Sequence, residues 1–149
     1  MLVSFNWLKE YVDLSGITPD ELGDRFTLGG LETEIVTHLG EGLDNLVVGL
    51  VEICEPLEGS DHLNMTTVNV GDETLSIVCG APNVAAGQKV VVAKVGAILP
   101  GDFEIKEAEI MGQKSYGMLA SLDELGFSDS VIPKHAEDGI YILSEDAEI

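Results

Sequence analysis

Apolar residues at helical spacing predict two helices in the first 30 residues. Residues 4–12 carry apolar side chains three and four positions apart, with a serine in front as a cap. A second helix is predicted to begin at Thr18-Pro19-Asp20-Glu21, because threonine at the cap and glutamate three residues later form a capping box. Gly29-Gly30 is expected to end this helix.

Residues 31–39 alternate between two sides, which predicts a single β-strand that is half exposed. A lone strand cannot satisfy its own backbone groups, so it needs partner strands in the rest of the chain or outside it. Gly40-Glu41-Gly42 then marks a predicted boundary, after which the pattern changes.

Short apolar and alternating runs separated by turn residues fill the rest of the chain. The predicted strands are 46–54, 65–70, 74–79, 89–95 and 103–111, with a short last one at 140–143. Gly71-Asp72 is expected to join the second and third as a hairpin, and 123–126 to form one helical turn. Five main strands without a long helix between them predict a mainly β fold, a small closed barrel rather than a βαβ layout.

The charge changes the expected chemistry. Seven Lys and Arg against 27 Asp and Glu give a net charge of −20. Residues 44–149 alone hold five lysines, no arginine and 19 acids, and Lys89 and Lys94 are predicted to point to opposite faces of one strand. A basic stripe for binding phosphates is therefore not expected, which favours a weak RNA surface.

Metal and catalytic motifs are not expected. Cys54 and Cys79 lie 25 positions apart without a CxxC pair, which favours two reduced core thiols over a zinc site. The three histidines, His38, His62 and His135, are scattered, and no hydrolase, zincin or phosphate-loop motif is present. Neither a signal peptide nor an apolar run of membrane-spanning length is evident, so we expect a soluble, cytoplasmic chain without membrane contact.

Five segments in order resemble the beta chains of bacterial phenylalanyl-tRNA synthetases. They are residues 3–12 (VSFNWLKEYV), 27–32 (TLGGLE), 78–84 (VCGAPNV), 87–90 (GQKV) and 115–121 (SYGMLAS). The last three are similar to the tRNA-binding barrel domain of those chains.

The resemblance implies a five-stranded Greek-key oligonucleotide-binding (OB) barrel inserted in an incomplete N-terminal α/β domain. Residues 1–39 would be the first part of that discontinuous domain, with its partner strands outside this chain, and residues 40–149 the OB domain. It also implies a non-catalytic module of a phenylalanine-tRNA ligase, an α2β2 enzyme that uses ATP and magnesium. This chain would carry no cofactor or catalytic site itself. Its implied partners are tRNA, the alpha subunit and the rest of the beta subunit, with no DNA; the alternative is a purely structural role in assembly.

OB barrels bind nucleic acid across strands two and three and the flanking loops, which selects the candidate residues. Related barrels carry a His-Pro-Asn-Ala-Asp-Lys-Leu type of segment before strand two, whereas this chain has His62 in place of the lysine. Tyr116 is the expected stacking platform, while packing for Met118 and turn formation for Asn83 remain open alternatives. The candidate tRNA-binding residues are Asp61, His62, Asn64, Asn83, Lys89, Ser115, Tyr116, Gly117, Met118 and Ser121.

Overall fold

A computed structural model describes residues 1–38 and 43–149. The chain divides into two compact units, Met1–Gly40 and Glu41–Ile149. No helix within the described ranges is long and apolar enough to cross a membrane.

The first unit contains the two predicted helices, α1 (Phe5–Leu8) and α2 (Pro19–Leu28). The capping box of α2 is confirmed by both of its hydrogen bonds. The Glu21 backbone N–H donates to Thr18 Oγ1 at 3.2 Å, and the Thr18 N–H donates to Glu21 Oε2 at 3.0 Å. Local sequence chemistry therefore fixes where α2 begins.

Residues 31–38, part of the strand predicted at 31–39, have no partner strand within the described residues and are not assigned as a strand. The segment instead runs back along α2: the Leu31 N–H donates to the Phe26 carbonyl at 2.8 Å and the Thr33 N–H to Thr27 Oγ1 at 3.0 Å. These donors are satisfied by the helix rather than by a partner strand. Leu39 and the predicted boundary Gly40-Glu41-Gly42 lie outside the described residues.

Within residues 43–149, the second unit has nine β-strands. They are β1 (Leu46–Pro56), β2 (Asn64–Asn69), β3 (Thr74–Cys79), β4 (Lys89–Lys94), β5 (Ile98–Leu99), β6 (Phe103–Glu104), β7 (Ala108–Ile110), β8 (Gln113–Ser115) and β9 (Gly117–Leu119). Five of them form one antiparallel sheet in the order β3-β2-β1-β4-β9, while β5-β6 and β7-β8 form two-stranded ribbons. A 3₁₀ helix at Lys134–Ala136 precedes the last residues.

The five-stranded sheet curls into a nearly closed barrel. The Tyr116 N–H donates to the Ser76 carbonyl at 2.9 Å, and Ser115 Oγ accepts from the Val78 N–H at 3.1 Å. These two bonds connect the outer edge of β3 to Ser115, the last residue of β8, and to Tyr116, which follows it. The predicted mainly β fold with a five-stranded OB-type barrel is confirmed.

Strand β1 is the central strand of the sheet: its first half pairs with β4 and its second half pairs with β2. Gly49 lies where these halves meet, and a Cβ there would come within 2.7 Å of Val68 and Val92 side-chain carbons. Just beyond it, Glu52 is the extra residue of a β-bulge between Val51 and Ile53. The fully buried core around β1 includes Val51, Val68, Ile77, Val90 and Val92.

The strand predicted at 103–111 is wrong. The structure divides it into β6 and β7, because Ile105 turns into the core and pairs with the 96–97 segment. Its N–H donates to the Ala97 carbonyl and its carbonyl accepts from the Gly96 N–H, both at 2.8 Å. The fifth barrel strand is instead β9. The strand predicted at 140–143 is reduced to one isolated bridge between Ile142 and Val90.

Candidate nucleic-acid interface

The outward side of β1, β2 and β3 can be assigned from burial. Thr66 and Val68 on β2 are fully buried, as is Ile77 on β3, so their neighbours Thr67 and Ser76 face outward. Thr66 is satisfied inside the barrel because its hydroxyl donates to the Ile77 carbonyl at 2.8 Å. This alternation gives the barrel a well-defined outer face over its second and third strands.

Four outward residues line up across that face. Ile53 pairs with Thr67, Thr67 pairs with Ser76, and the Ser76 carbonyl accepts from the Tyr116 N–H. Ile53 is 48% exposed and Tyr116 is 37% exposed. We call these four residues the transverse row. Three inter-strand spacings make it about 14 Å long, with an aliphatic side chain at one end, an aromatic ring at the other and two hydroxyls between them.

The two central strands of the transverse row, β2 and β3, contain no charged residue, whereas β1, which carries Ile53, also carries Glu52 and Glu55. Neither β2 (NMTTVN) nor β3 (TLSIVC) contains an acidic or basic residue, although the chain has 27 acids. Carboxylates of β1 flank the row at its Ile53 end: Glu52 accepts from Asn69 Nδ2 at 3.1 Å, and the exposed Glu55 lies two residues after Ile53 and pairs with Met65. On the other side Lys114 Nζ lies 3.0 Å from Glu107, whose hydrogen bond and charge raise the lysine pKa.

Three predicted residues lie in or beside the β1–β2 loop. The loop is closed by a bond from the Leu57 N–H to the Leu63 carbonyl at 2.8 Å. Asp61 and His62 are exposed, with His62 Nδ1 at 3.8 Å from Asp61 Oδ1. Asn64 begins β2, paired with Pro56 and Cys79, and is half-buried. Asp61 and His62 lie in the loop before β2, whereas Asn64 is on the side of β2 that Thr66 and Val68 turn into the barrel.

Two other predicted residues fasten the barrel to its C-terminal segment. Asn83 Nδ2 donates to the Ile140 carbonyl at 2.8 Å, and its Oδ1 accepts from the Ile140 N–H at 2.9 Å. Lys89 Nζ donates to the carbonyls of Glu145, at 2.7 Å, and of Ala147. Both polar groups are therefore already engaged within the chain.

The predicted loop 115–121 is mostly structural. Ser115 is 3% exposed and holds the barrel seam, and Met118 packs against the smaller core cluster of Ala93, Ala97, Leu99 and Ile105. A Cβ on Gly117 would lie 2.8 Å from the Ala93 carbonyl oxygen. Ser121 forms a second capping box with Glu124, at 2.7 and 3.2 Å, and begins the predicted helical turn. Tyr116 alone projects outward from this segment to the transverse row.

The sequence prediction missed Ile53, Thr67 and Ser76. The alternation of buried and exposed positions on each strand was visible in the sequence. The pairing that brings these three residues and Tyr116 into one row depends on the bulge at Glu52 and on the seam at Ser115. Those two features set the register, and neither has a sequence signature.

The cysteines do not add a reactive site. Cys54 Sγ lies 3.7 Å from the Val84 carbonyl, and burial raises the pKa of both the Cys54 and Cys79 thiols. A raised pKa keeps a thiol protonated and unreactive. Within residues 1–38 and 43–149, no group of three His, Cys, Asp or Glu side chains is placed to hold a metal ion.

Comparison with known proteins identifies the barrel. The family described as "Putative tRNA binding domain" matches residues 46–148. A phenylalanine–tRNA ligase beta subunit from Oceanobacillus iheyensis is 52% identical over 149 residues, and one from Geobacillus kaustophilus is 53% identical over 150. Both alignments cover 100% of this chain, which spans only 18% and 19% of the two relatives' own lengths.

A solved structure supports the fold independently. The crystal structure of a MetRS related protein from Pyrococcus horikoshii superimposes with a TM-score of 0.50 over 76% of this chain and 93% of that one. At 19% identity this likeness shows the fold alone. Taken with the family match over the whole barrel, these findings show that the chain belongs to the tRNA-binding-domain family and is a relative of bacterial phenylalanine–tRNA ligase beta subunits.

Proposed function

We propose that this chain is a non-catalytic, tRNA-contacting module of a phenylalanine-tRNA ligase beta subunit, and that the β2–β3 face makes the contact. The observation that carries this proposal is the uncharged transverse row in an otherwise acidic barrel. OB barrels bind oligonucleotides on this face and its flanking loops. Because β2 and β3 carry no carboxylate, repulsion of RNA is weaker over Thr67 and Ser76 than near the acidic parts of the barrel, which include Glu52 and Glu55 at the Ile53 end.

The β1–β2 loop extends the proposed contact surface. Asp61 and His62 lie in the loop before β2, Asn64 begins β2, and Tyr116 lies in the transverse row itself. The other six predicted residues support the proposal in a way that differs from the predicted direct contact with tRNA. They are Asn83, Lys89, Ser115, Gly117, Met118 and Ser121. Their contacts hold the barrel and its loops in place, so we assign them to positioning the face.

The complete ligase provides the rest of the proposed activity. Phenylalanine attachment to tRNA, with ATP and Mg²⁺ and with an alpha subunit as partner in the cytoplasm, belongs to the whole enzyme. The described residues offer no cluster of His, Cys, Asp or Glu side chains for Mg²⁺. We propose residues 1–39 as part of a discontinuous α/β domain and residues 40–149 as the OB domain.

A matched pair of charge substitutions tests the proposed face. Ser76→Glu places a carboxylate in the middle of the transverse row, whereas Ser130→Glu adds the same charge in an exposed loop. We expect Ser76→Glu to weaken tRNA binding, measured by fluorescence anisotropy at ~50 mM salt, by at least about fivefold through phosphate repulsion. Ser130→Glu should leave the Kd within about twofold.

Equal effects of the two substitutions on the Kd would show that the tRNA contact does not lie on the β2–β3 face. Absence of tRNA binding by the wild-type chain would instead favour an assembly role. That alternative has its own support in the first unit, where Leu28, Leu31 and Ile35 are 89%, 68% and 78% exposed. Apolar side chains so exposed are typical of surfaces that pack against another surface.

A further inference from the structure

The chemistry of the transverse row limits the kind of RNA that it can hold. Tyr116 offers an aromatic surface, Ile53 an apolar one, and Thr67 and Ser76 two hydroxyls that both donate and accept hydrogen bonds. Bases stack on aromatic side chains and expose their edges to such groups only when they are unpaired. A duplex offers mainly phosphates and sugars to a protein surface, and these call for cationic partners.

Four of the five lysines in residues 44–149 already have partners within the chain. Lys114, beside Tyr116, forms an ion pair with Glu107. Lys94 contacts Asp72 and Glu73, and Lys106 lies 2.9 Å from Glu104. Lys89 is held by two backbone carbonyls. A phosphate would have to compete with these internal partners, which lowers the gain that phosphate neutralisation normally gives.

We infer that this face recognises unpaired nucleotides by stacking on Tyr116 and by neutral hydrogen bonds, and that it neutralises very few phosphates. The inference rests on the proposed tRNA contact and states which part of an RNA is recognised. Its consequence is unusual for a nucleic-acid-binding surface, because affinity then depends only weakly on salt.

Salt dependence and stacking are tested together with the 149-residue chain. Anisotropy titrations use a tRNA transcript, a short single-stranded oligoribonucleotide and an RNA duplex of equal length, each at ~50 and ~200 mM salt. Neutralising about one or two phosphates predicts a loss of affinity below about tenfold over this range, whereas 6–10 contacts would cost roughly 10³–10⁵. The single strand should bind more tightly than the duplex.

Substitutions at Tyr116 and Lys114 separate stacking from charge. We expect Tyr116→Ala to weaken single-strand binding by roughly tenfold and Tyr116→Phe, which keeps the ring, by less than about threefold. Lys114→Gln should change the Kd by less than about twofold, because its charge is already paired. Circular dichroism checks that Tyr116→Ala is folded, and Tyr116→Phe keeps the test valid if it is not.

The outcomes distinguish this inference from the function on which it rests. A shallow salt dependence with a preference for single strands and sensitivity to Tyr116→Ala supports it. Steep salt dependence, a preference for duplex or a large effect of Lys114→Gln overturns it while tRNA binding stands. No binding of any RNA at either salt overturns the proposed function itself.

Discussion

At the scale of single residues, Asn83 shows how a polar residue in a candidate loop can serve the fold. Both atoms of its amide bond to the Ile140 backbone, at 2.8 and 2.9 Å. Gly139 makes room for this arrangement, since a Cβ there would lie 2.0 Å from Asn83 Oδ1, and its φ of +96° favours glycine. The contact brings Ile140, which is 3% exposed, into the barrel core.

Replacing Asn83 should therefore affect stability. Asn83→Ala leaves the Ile140 N–H and carbonyl without their partner, so we expect the free energy of unfolding to fall by about 1–3 kcal/mol. Asn64→Ala, at the half-buried start of β2, is the matched control and should cost less than about 1 kcal/mol. Urea unfolding followed by circular dichroism measures both. Equal losses for the two variants would contradict the stabilising role of the hydrogen bonds between Asn83 and Ile140.

At the scale of elements, the barrel is closed by its shortest strand. β9 has three residues, and its first, Gly117, pairs with Lys94 on β4. The β4 backbone passes so close that a Cβ on Gly117 would meet the Ala93 carbonyl oxygen at 2.8 Å and Ile77 Cδ1 at 3.3 Å. A backbone atom cannot move aside as a flexible side chain can, so the pairing of β9 with β4 requires glycine at position 117.

Two glycine substitutions isolate that close approach. Gly117→Ala should lower the free energy of unfolding by more than about 2 kcal/mol, from overpacking added to backbone strain. Gly112, in the β7–β8 turn, also has positive φ, but a Cβ there would meet no atom within 4 Å. Gly112→Ala should cost about 1–2 kcal/mol from backbone strain alone. An equal loss of unfolding free energy for both variants in urea would contradict a steric requirement for glycine at position 117.

These elements also show what the sequence can predict. The start of α2 and the bounds of β3 were predicted correctly because capping residues and alternation act locally. Residues 31–38 alternate like a strand, yet they pack on α2: a Cβ on Gly23 would lie 3.1 Å from Val36 Cγ2. β9 is too short for its alternation to be recognised. The transverse row depends on long-range pairing, so only its Tyr116 end was predicted.

At the scale of the whole molecule, charge and fold divide the barrel surface. Residues 44–149 carry 19 acids against five lysines, but β2 and β3 between them carry none of either. Long-range repulsion of RNA is thus combined with a local face whose two central strands carry no charge and whose border carries Glu52 and Glu55 of β1. This division makes the face, rather than the net charge, the determinant of what the barrel contacts.

The central claim is that RNA contacts the β2–β3 face, and a residue-level footprint tests it most directly. An ¹⁵N-labelled sample of the 149-residue chain is titrated with tRNA, and backbone amide shifts are followed by NMR. We predict that the perturbed amides cluster at Ile53, Thr67, Ser76 and Tyr116 and in the β1–β2 loop. Perturbations concentrated in residues 1–38 or around Lys134–Ala136, with the transverse row unchanged, would contradict the claim.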